Sequence, residues 1–169
     1  RDLFKGLALT TGAIALIRAG LTPDVARAQQ GDMPPGTVHS FANGGVTFHT
    51  YVSPAPAVHV TSHVIELGDQ LLLVDATMLP PTAAEVAALV ASTRKSVHTA
   101  IISHEHPDHV GAHALLADRQ VGAIWATART WEELGPRLDH PAARQALPVR
   151  GRAQVAGVTV TTGRTGHAP

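Results

Sequence analysis

The first part of the chain has the alternation of hydrophobic and polar residues that predicts β-strands. Residues 46–52 are rich in β-branched and aromatic side chains and follow a Gly-Gly turn, so they are predicted to form a strand. In residues 58–67 alternate positions share a face, with Val60 and Val64 on the same side. Residues 71–74 are a continuous apolar run, which is typical of a strand buried on both faces.

Helical and strand patterns alternate in the rest of the chain. The predicted helices are 80–93, 110–117, 127–134 and 137–146, and the predicted strands are 97–103 and 121–126, followed by a hairpin of 152–155 and 158–162. Thr82 and Glu85 have the spacing of a capping box, so Thr82 is predicted to cap the first helix. Strands followed by alternating helices and strands predict an α/β fold, a mixed sheet with helices on its outer face.

The N-terminal residues have the pattern of an export signal. Residues 1–5 are a short charged stretch, residues 6–17 are apolar and uncharged, and Ala26-Arg27-Ala28 supplies the small-x-small pattern that signal peptidase reads. The apolar run is shorter than the roughly 20 residues that span a bilayer. Residues 1–28 are therefore predicted to be an export signal, of the twin-arginine type if the preceding residue is arginine. The alternative is an ordinary amphipathic helix.

The expected location follows from this signal. The mature protein is predicted to begin near Gln29, with a Pro/Gly-rich linker over residues 29–45. It is expected to be periplasmic or secreted, with no stable membrane anchor after the signal is removed.

Composition narrows the possible chemistry. The 169 residues include 13 basic and 13 acidic side chains, so the chain lacks the basic surplus typical of nucleic-acid binders, and only 4% of its residues are aromatic. We therefore expect a small-molecule substrate rather than nucleic acid. Because the chain has no cysteine, any metal must be held by histidine and carboxylate side chains.

The segment His104-Glu105-His106-Pro107-Asp108-His109 directly follows a predicted buried strand. Residues two apart in an extended segment point the same way, so His104 and His106 can reach one cation together. Pro107 keeps His106 out of the helical conformation. Asp108 and His109 then begin the next helix and can face a second cation. Surface polar residues without a metal are the alternative, but such a dense cluster favours zinc, with Asp108 also orienting a nucleophile.

This hexapeptide resembles the His-x-His-x-Asp-His motif of the metallo-β-lactamase superfamily. Two other features are similar to family members: the strand that ends in Asp75, and a Gly-His loop that contains His167. The resemblance covers residues 46–169 and implies the first half of an αββα sandwich.

The resemblance also implies a set of metal ligands. His104, His106 and His167 would bind one zinc ion, and Asp108 and His109 would bind a second. Asp75 would support a ligand histidine without binding the metal itself. The family pattern needs a further bridging aspartate and a final histidine, which are expected beyond the end of this chain. The chain is therefore expected to be a fragment that is inactive by itself.

The expected function is zinc-dependent hydrolysis by a metal-activated water, on a small ester, lactone, thioester or amide, including β-lactams. The alternative is a non-catalytic zinc-binding or degenerate family member that acts as a binding module. A nuclease is a third possibility, which neutral charge and export disfavour. The di-iron branch of the family has a glutamate as the second ligand, whereas here Glu105 is out of phase. Substrate identity, metal count and oligomeric state stay open.

Overall fold

The computed structural model describes residues 33–111, 121–135, 138 and 142–163. Seven strands of this part of the chain form one sheet in sequence order, and two more form a hairpin. The strands are Thr37–Asn43 (β1), Val46–Val52 (β2), Thr61–Leu67 (β3), Gln70–Val74 (β4), Ser96–Ile101 (β5), Ala123–Thr127 (β6), Ala143–Leu147 (β7), Gly151–Val155 (β8) and Val158–Thr162 (β9). The helices are Pro80–Ser92 (α1), Pro107–Val110 (α2) and Ala128–Leu134 (α3), with a 3-10 turn at Ala55–Ala57.

The sheet changes from antiparallel to parallel at β4. Strands β1 to β4 pair antiparallel, with tight turns at Gly44-Gly45 and Gly68-Asp69 and a longer connection between β2 and β3, whereas β4 to β7 pair parallel. Parallel neighbours need a longer crossover, and α1 supplies it between β4 and β5. The carboxyl ends of β4, β5 and β6 therefore lie along one edge of the sheet.

Hydrophobic side chains fill both faces of the central strands. On one face, Val86 and Val90 of α1 and Leu134 of α3 join the main core with Leu71 and Leu73 of β4. On the other face, a smaller cluster joins the sheet to the β8–β9 hairpin. It contains Leu72, Ile101, Leu147 and Val155. Burial of one such leucine stabilises the fold by about 1.5–3 kcal/mol, so β4 anchors the loop that follows it.

Most elements predicted from the sequence pattern are confirmed. Strand β2 has the predicted bounds, and β4, β5, β6, α1, α3 and the hairpin differ from their predictions by at most two residues at an end. The side chain of Thr127 caps α3 by accepting a hydrogen bond from the backbone N–H of Thr130 at 3.2 Å. The mixed α/β sheet with helices on one face is the predicted architecture.

Four local predictions are wrong. The linker predicted over residues 29–45 contains β1, which pairs with β2 along its whole length. The strand predicted over 58–67 begins only at Thr61, because the chain forms a 3-10 turn first. The helix predicted over 137–146 is replaced at Ala143–Leu147 by β7, which completes the parallel part of the sheet.

The fourth error is the cap of α1. The N-cap is Leu79, and Thr82 lies inside the first turn, where its hydroxyl donates to the carbonyl oxygen of Leu79 at 2.9 Å. Glu85 accepts a hydrogen bond from the backbone N–H of Gly36 at 2.8 Å instead of closing a capping box. Two prolines begin the helix at Pro80, where their fixed φ angle suits the first turn.

Several predicted features lie outside the described residues. These are the export signal at 1–28, His167 with its loop, and the helix predicted over 110–117 beyond Gly111. Within the described part of the chain, no helix has both the length and the apolar character needed to cross a membrane.

Candidate metal centre

The candidate site forms at the edge of the sheet where β4 and β5 end. These strands are parallel, and their last residues, Val74 and Ile101, are register partners. The backbone N–H of Asp75 donates to the carbonyl oxygen of Ile101 at 2.9 Å, which continues the ladder by one step. Asp75 then takes a left-handed conformation, with φ of 56°, and the chain turns away from the strand. Aspartate tolerates this region better than most residues.

The carboxylate of Asp75 is buried and fully engaged. Its Oδ1 accepts a hydrogen bond from the backbone N–H of Ser103 at 2.8 Å. Its Oδ2 accepts from the hydroxyl of Ser103 at 2.6 Å and from Nδ1 of His109 at 2.8 Å. Through these hydrogen bonds Asp75 connects Ser103, which follows β5, to His109 of α2.

Three imidazole rings lie in contact above this carboxylate. The ring centroid of His104 is 4.6 Å from that of His106 and 3.9 Å from that of His109. His106 is extended, with φ of −65° and ψ of 143°, because it precedes Pro107, and α2 begins directly after it. The carbonyl oxygen of His109 accepts a hydrogen bond from the backbone N–H of Ala76 at 2.9 Å, which docks α2 against the loop after β4.

Asp108 lies beside these three imidazole rings and is partly exposed to solvent. Its Oδ2 lies 3.4 Å from Nε2 of His109, and its side chain is 29% exposed. Asp108 also borders an apolar cavity of about 160 Å³ between the β2–β3 connection and the start of α1. The other lining residues are Pro56, Ala57, Val58, Val60, Thr77, Met78, Leu79 and Thr82.

Electrostatics differ among the members of the site. Burial alone would raise the pKa of Asp75, but the hydrogen bonds from His109 and Ser103 outweigh it and hold that pKa below its ordinary value. The hydrogen bond to Asp75 raises the pKa of His109 against the opposing effect of burial. Burial lowers the pKa of His104, and the neighbouring imidazoles of His109 and His106 lower it further.

The structure thus brings together five of the six residues singled out from the sequence. These are Asp75, His104, His106, Asp108 and His109. The sixth, His167, lies outside the described residues. Within the described ranges, no three or more His, Cys, Asp or Glu side chains converge as a complete set of metal ligands. Their assignment as ligands, and the supporting role of Asp75, stay predictions.

Two further residues were missed by sequence reasoning. Ser103 links Asp75 to His104, because the hydroxyl of Ser103 bonds Asp75 and its oxygen also lies 2.9 Å from Nδ1 of His104. Gly111 ends α2 where the chain passes so close to Met78 that a β-carbon would lie 2.8 Å from its Cα. A hydroxyl directly before the hexapeptide was visible in the sequence, but the close approach at Gly111 depends on a segment 33 positions away.

Comparisons with known proteins give the family. No curated protein matches this chain. The crystal structure of the metallo-beta-lactamase FIM-1 from Pseudomonas aeruginosa, in its mono-zinc form, is 25% identical, with a TM-score of 0.52 over 73% of this chain and 56% of that one. A metallo beta lactamase from Hirschia baltica is 25% identical, with a TM-score of 0.55 over 75% of this chain and 59% of that one.

The chain therefore spans less than two thirds of the length of these solved structures. The mixed sheet with helices on one face is part of an αββα fold, as the resemblance implied. A family model described as the metallo-beta-lactamase superfamily matches residues 55–167, which is more than half of the sequence. The match includes the hexapeptide and Asp75, and on this ground the chain belongs to the metallo-beta-lactamase superfamily.

Proposed function

We propose that this chain carries the zinc-binding part of an exported hydrolase for small esters, lactones, thioesters or amides, including β-lactams. The observation that carries the proposal is the contact of three imidazoles, His104, His106 and His109, beside Asp108 at the carboxyl edge of the sheet. Membership of a superfamily of metallo-hydrolases supports the reaction class.

The donor chemistry of this cluster fits zinc. Because Nδ1 of His109 bonds to Asp75, Nε2 is the ring nitrogen that faces Asp108, at 3.4 Å from its Oδ2. Two ligands of one tetrahedral zinc ion lie about 3.3 Å apart, given bonds of about 2.0–2.1 Å. His109 and Asp108 thus have the spacing of two ligands to one ion. His104 and His106, with His167, would hold the other.

The chemistry divides between the metal and the protein. Bound zinc lowers the pKa of water to about 7 and polarises a carbonyl or phosphoryl oxygen. Asp108 would accept a hydrogen bond from the attacking water and orient it. Asp75 would keep the ring of His109 in place, since it bonds the nitrogen on the side away from Asp108.

The cavity beside Asp108 supports a small substrate with an apolar group. Its walls are mostly apolar, and among the described residues that line it Asp108 is the acidic one. Val58, on its rim, is 70% exposed and has φ of 57°, a strained conformation for a β-branched residue. An apolar substituent that covers Val58 would be stabilised while the reacting bond faces Asp108.

Metal binding and hydrolysis by the full-length protein test the proposal. We expect the protein made with zinc to contain stoichiometric metal and to hydrolyse a panel of chromogenic esters, lactones and β-lactams. Activity should be lost on chelation, return with added zinc, and be lost in His106→Ala. His39→Ala, on exposed β1, is the matched control and should keep full activity. A purified protein without metal, or full activity after chelation, would refute the proposal.

The export part of the proposal has a separate test. The N-terminal pattern predicts cleavage after Ala28, so the mature protein should begin near Gln29 and be recovered from the periplasm or medium. Mass spectrometry of the exported protein measures the cleavage site. A protein retained in the cytoplasm with residues 1–28 attached would refute export and leave the zinc chemistry untouched.

A non-catalytic zinc-binding module is the second candidate. It is favoured by one observation: the described residues alone do not form a complete set of ligands. The same experiments separate the two functions, because a binding module would contain zinc that depends on His106 yet hydrolyse no member of the panel.

A further inference from the structure

Ser103 lies between the buried carboxylate of Asp75 and the ring of His104. Its hydroxyl oxygen is 2.6 Å from Oδ2 of Asp75 and 2.9 Å from Nδ1 of His104. A serine hydroxyl has one proton to donate and lone pairs with which to accept. The ionised carboxylate only accepts, and the shorter distance is typical of an O–H donating to a carboxylate. The proton of Ser103 therefore points to Asp75.

The direction of this hydrogen bond determines which ring nitrogen of His104 carries the proton. Because the hydroxyl proton of Ser103 is used, its oxygen can only accept from Nδ1 of His104, so that nitrogen carries the proton. The other ring nitrogen, Nε2, is then unprotonated and has a lone pair for a metal. His109 is held in the same tautomer by direct contact, since its Nδ1 lies 2.8 Å from Oδ2 of Asp75.

We propose that Ser103 is a positioning residue that transmits the orienting effect of Asp75 to His104. One buried carboxylate thereby sets the tautomers of two histidines, which the proposed function assigns to different zinc ions: His109 directly, and His104 through the serine hydroxyl. The backbone N–H of Ser103 bonds Oδ1 of Asp75 at 2.8 Å, so the serine is held from two sides and its hydroxyl has a defined direction. This inference rests on the proposed metal site.

This relay, from Asp75 through the hydroxyl of Ser103 to His104, predicts different effects of two substitutions. Ser103→Ala removes only the link to His104, whereas Asp75→Asn disturbs both histidines. Loss of an orienting partner of a metal-binding histidine typically costs 10–100-fold in metal affinity. We expect Ser103→Ala to weaken one zinc ion by about tenfold or more and leave the other near the parental Kd. Asp75→Asn should weaken both, and Ser103→Thr, which keeps the hydroxyl, should restore the parental value.

The experiment uses the full-length protein with zinc alone, titrated against a chromogenic chelator. Nitrogen-15 NMR of the histidine rings in the metal-free protein reports the tautomers directly. His104 should be protonated at Nδ1 in the parent and in Ser103→Thr, and should shift towards the other tautomer in Ser103→Ala while His109 stays unchanged. A merely structural serine would not produce this selective change.

Two outcomes overturn the inference. One is an unchanged His104 tautomer in Ser103→Ala, together with parental affinity for both ions. The other is a Ser103→Ala protein in which both histidines change equally, since the relay then has no selectivity. If the parent binds no zinc, the proposed function fails, but the tautomers of the metal-free protein still decide the role of Ser103.

Discussion

The backbones at Gly111 and Met78 approach each other so closely that only a glycine fits at position 111. A β-carbon at Gly111 would lie 2.8 Å from Cα of Met78 and 3.0 Å from its carbonyl oxygen. Both atoms belong to the backbone and cannot rotate away. The contact lies two residues beyond His109, whose carbonyl oxygen accepts a hydrogen bond from the backbone N–H of Ala76 at 2.9 Å. The position of α2, and of the histidine that it carries, depends on this contact.

Gly111→Ala should therefore loosen the site. The added methyl group forces α2 away from the loop after β4, and we expect the free energy of unfolding to fall by about 1–3 kcal/mol. Zinc affinity should fall as well, because His109 moves relative to Asp75. Denaturant unfolding and zinc titration measure the two effects. Gly122→Ala is the matched control, since its β-carbon would be 3.6 Å from its nearest neighbour. Equal effects at both positions would contradict the prediction.

Gly36→Ala should destabilise the N-terminal side of the sheet. A β-carbon at Gly36 would lie 2.5 Å from the ring of Tyr51, which is 1% exposed and cannot move outwards without leaving the core. The backbone N–H of Gly36 also bonds Glu85 of α1. We expect a loss of about 1–3 kcal/mol in the free energy of unfolding, measured by denaturant. At Gly163 no atom of the described residues lies within 4 Å of an added β-carbon, so the stability of Gly163→Ala should stay close to that of the parent. If Gly36→Ala were as stable as the parent, the prediction would be wrong and Tyr51 could shift to make room.

The Glu66 carboxylate predicts a pH dependence of stability. Hydrogen bonds from Lys95 and His49 lower the pKa of Glu66 below its ordinary value. Because the pKa is lower in the folded state, the stabilisation is present above the ordinary carboxyl pKa and is lost as the pH falls through the lowered one. The side chain of Glu66 is 20% exposed, so the contribution should be no more than about 1 kcal/mol.

Glu66→Gln tests this dependence. The variant should be less stable than the parent at about pH 7, and the difference should shrink towards zero as the pH is lowered to about 3. Denaturant unfolding over that range measures it. Glu132→Gln, at an exposed position of α3, is the control. A difference for Glu66→Gln that grew on acidification would show that the carboxylate does not stabilise the fold.

Zinc should stabilise the folded full-length protein by mass action. An ion that binds only the folded state, at 100 times its Kd, adds about 2.7 kcal/mol to the free energy of unfolding. We expect thermal unfolding to shift upwards with added zinc. The shift should be smaller in His109→Ala, which lacks one ligand, and parental in His39→Ala. Identical shifts in all three proteins would mean that zinc binds elsewhere.

The sequence determined much of the fold because burial leaves a local pattern. The apolar run of β4 and the alternation in β3 each reflect the faces that those strands bury, so they could be found without the structure. β1 gave no such signal, because all seven of its residues are exposed and only pairing with β2 defines it. A helix was predicted over 137–146, yet Ala143–Leu147 form β7, because parallel pairing with β6 decides their conformation.

In the candidate site, too, the sequence determined one part and the tertiary structure another. The sequence by itself named the histidines and Asp108, since their chemistry and spacing lie within six consecutive residues. Only the tertiary structure decided which atoms meet. Ser103 and Gly111 act through Asp75 and Met78, which are 28 and 33 positions away, and no local pattern specifies contacts at that separation. Parallel pairing of β4 with β5 creates them, because it brings two strand ends to one edge of the sheet.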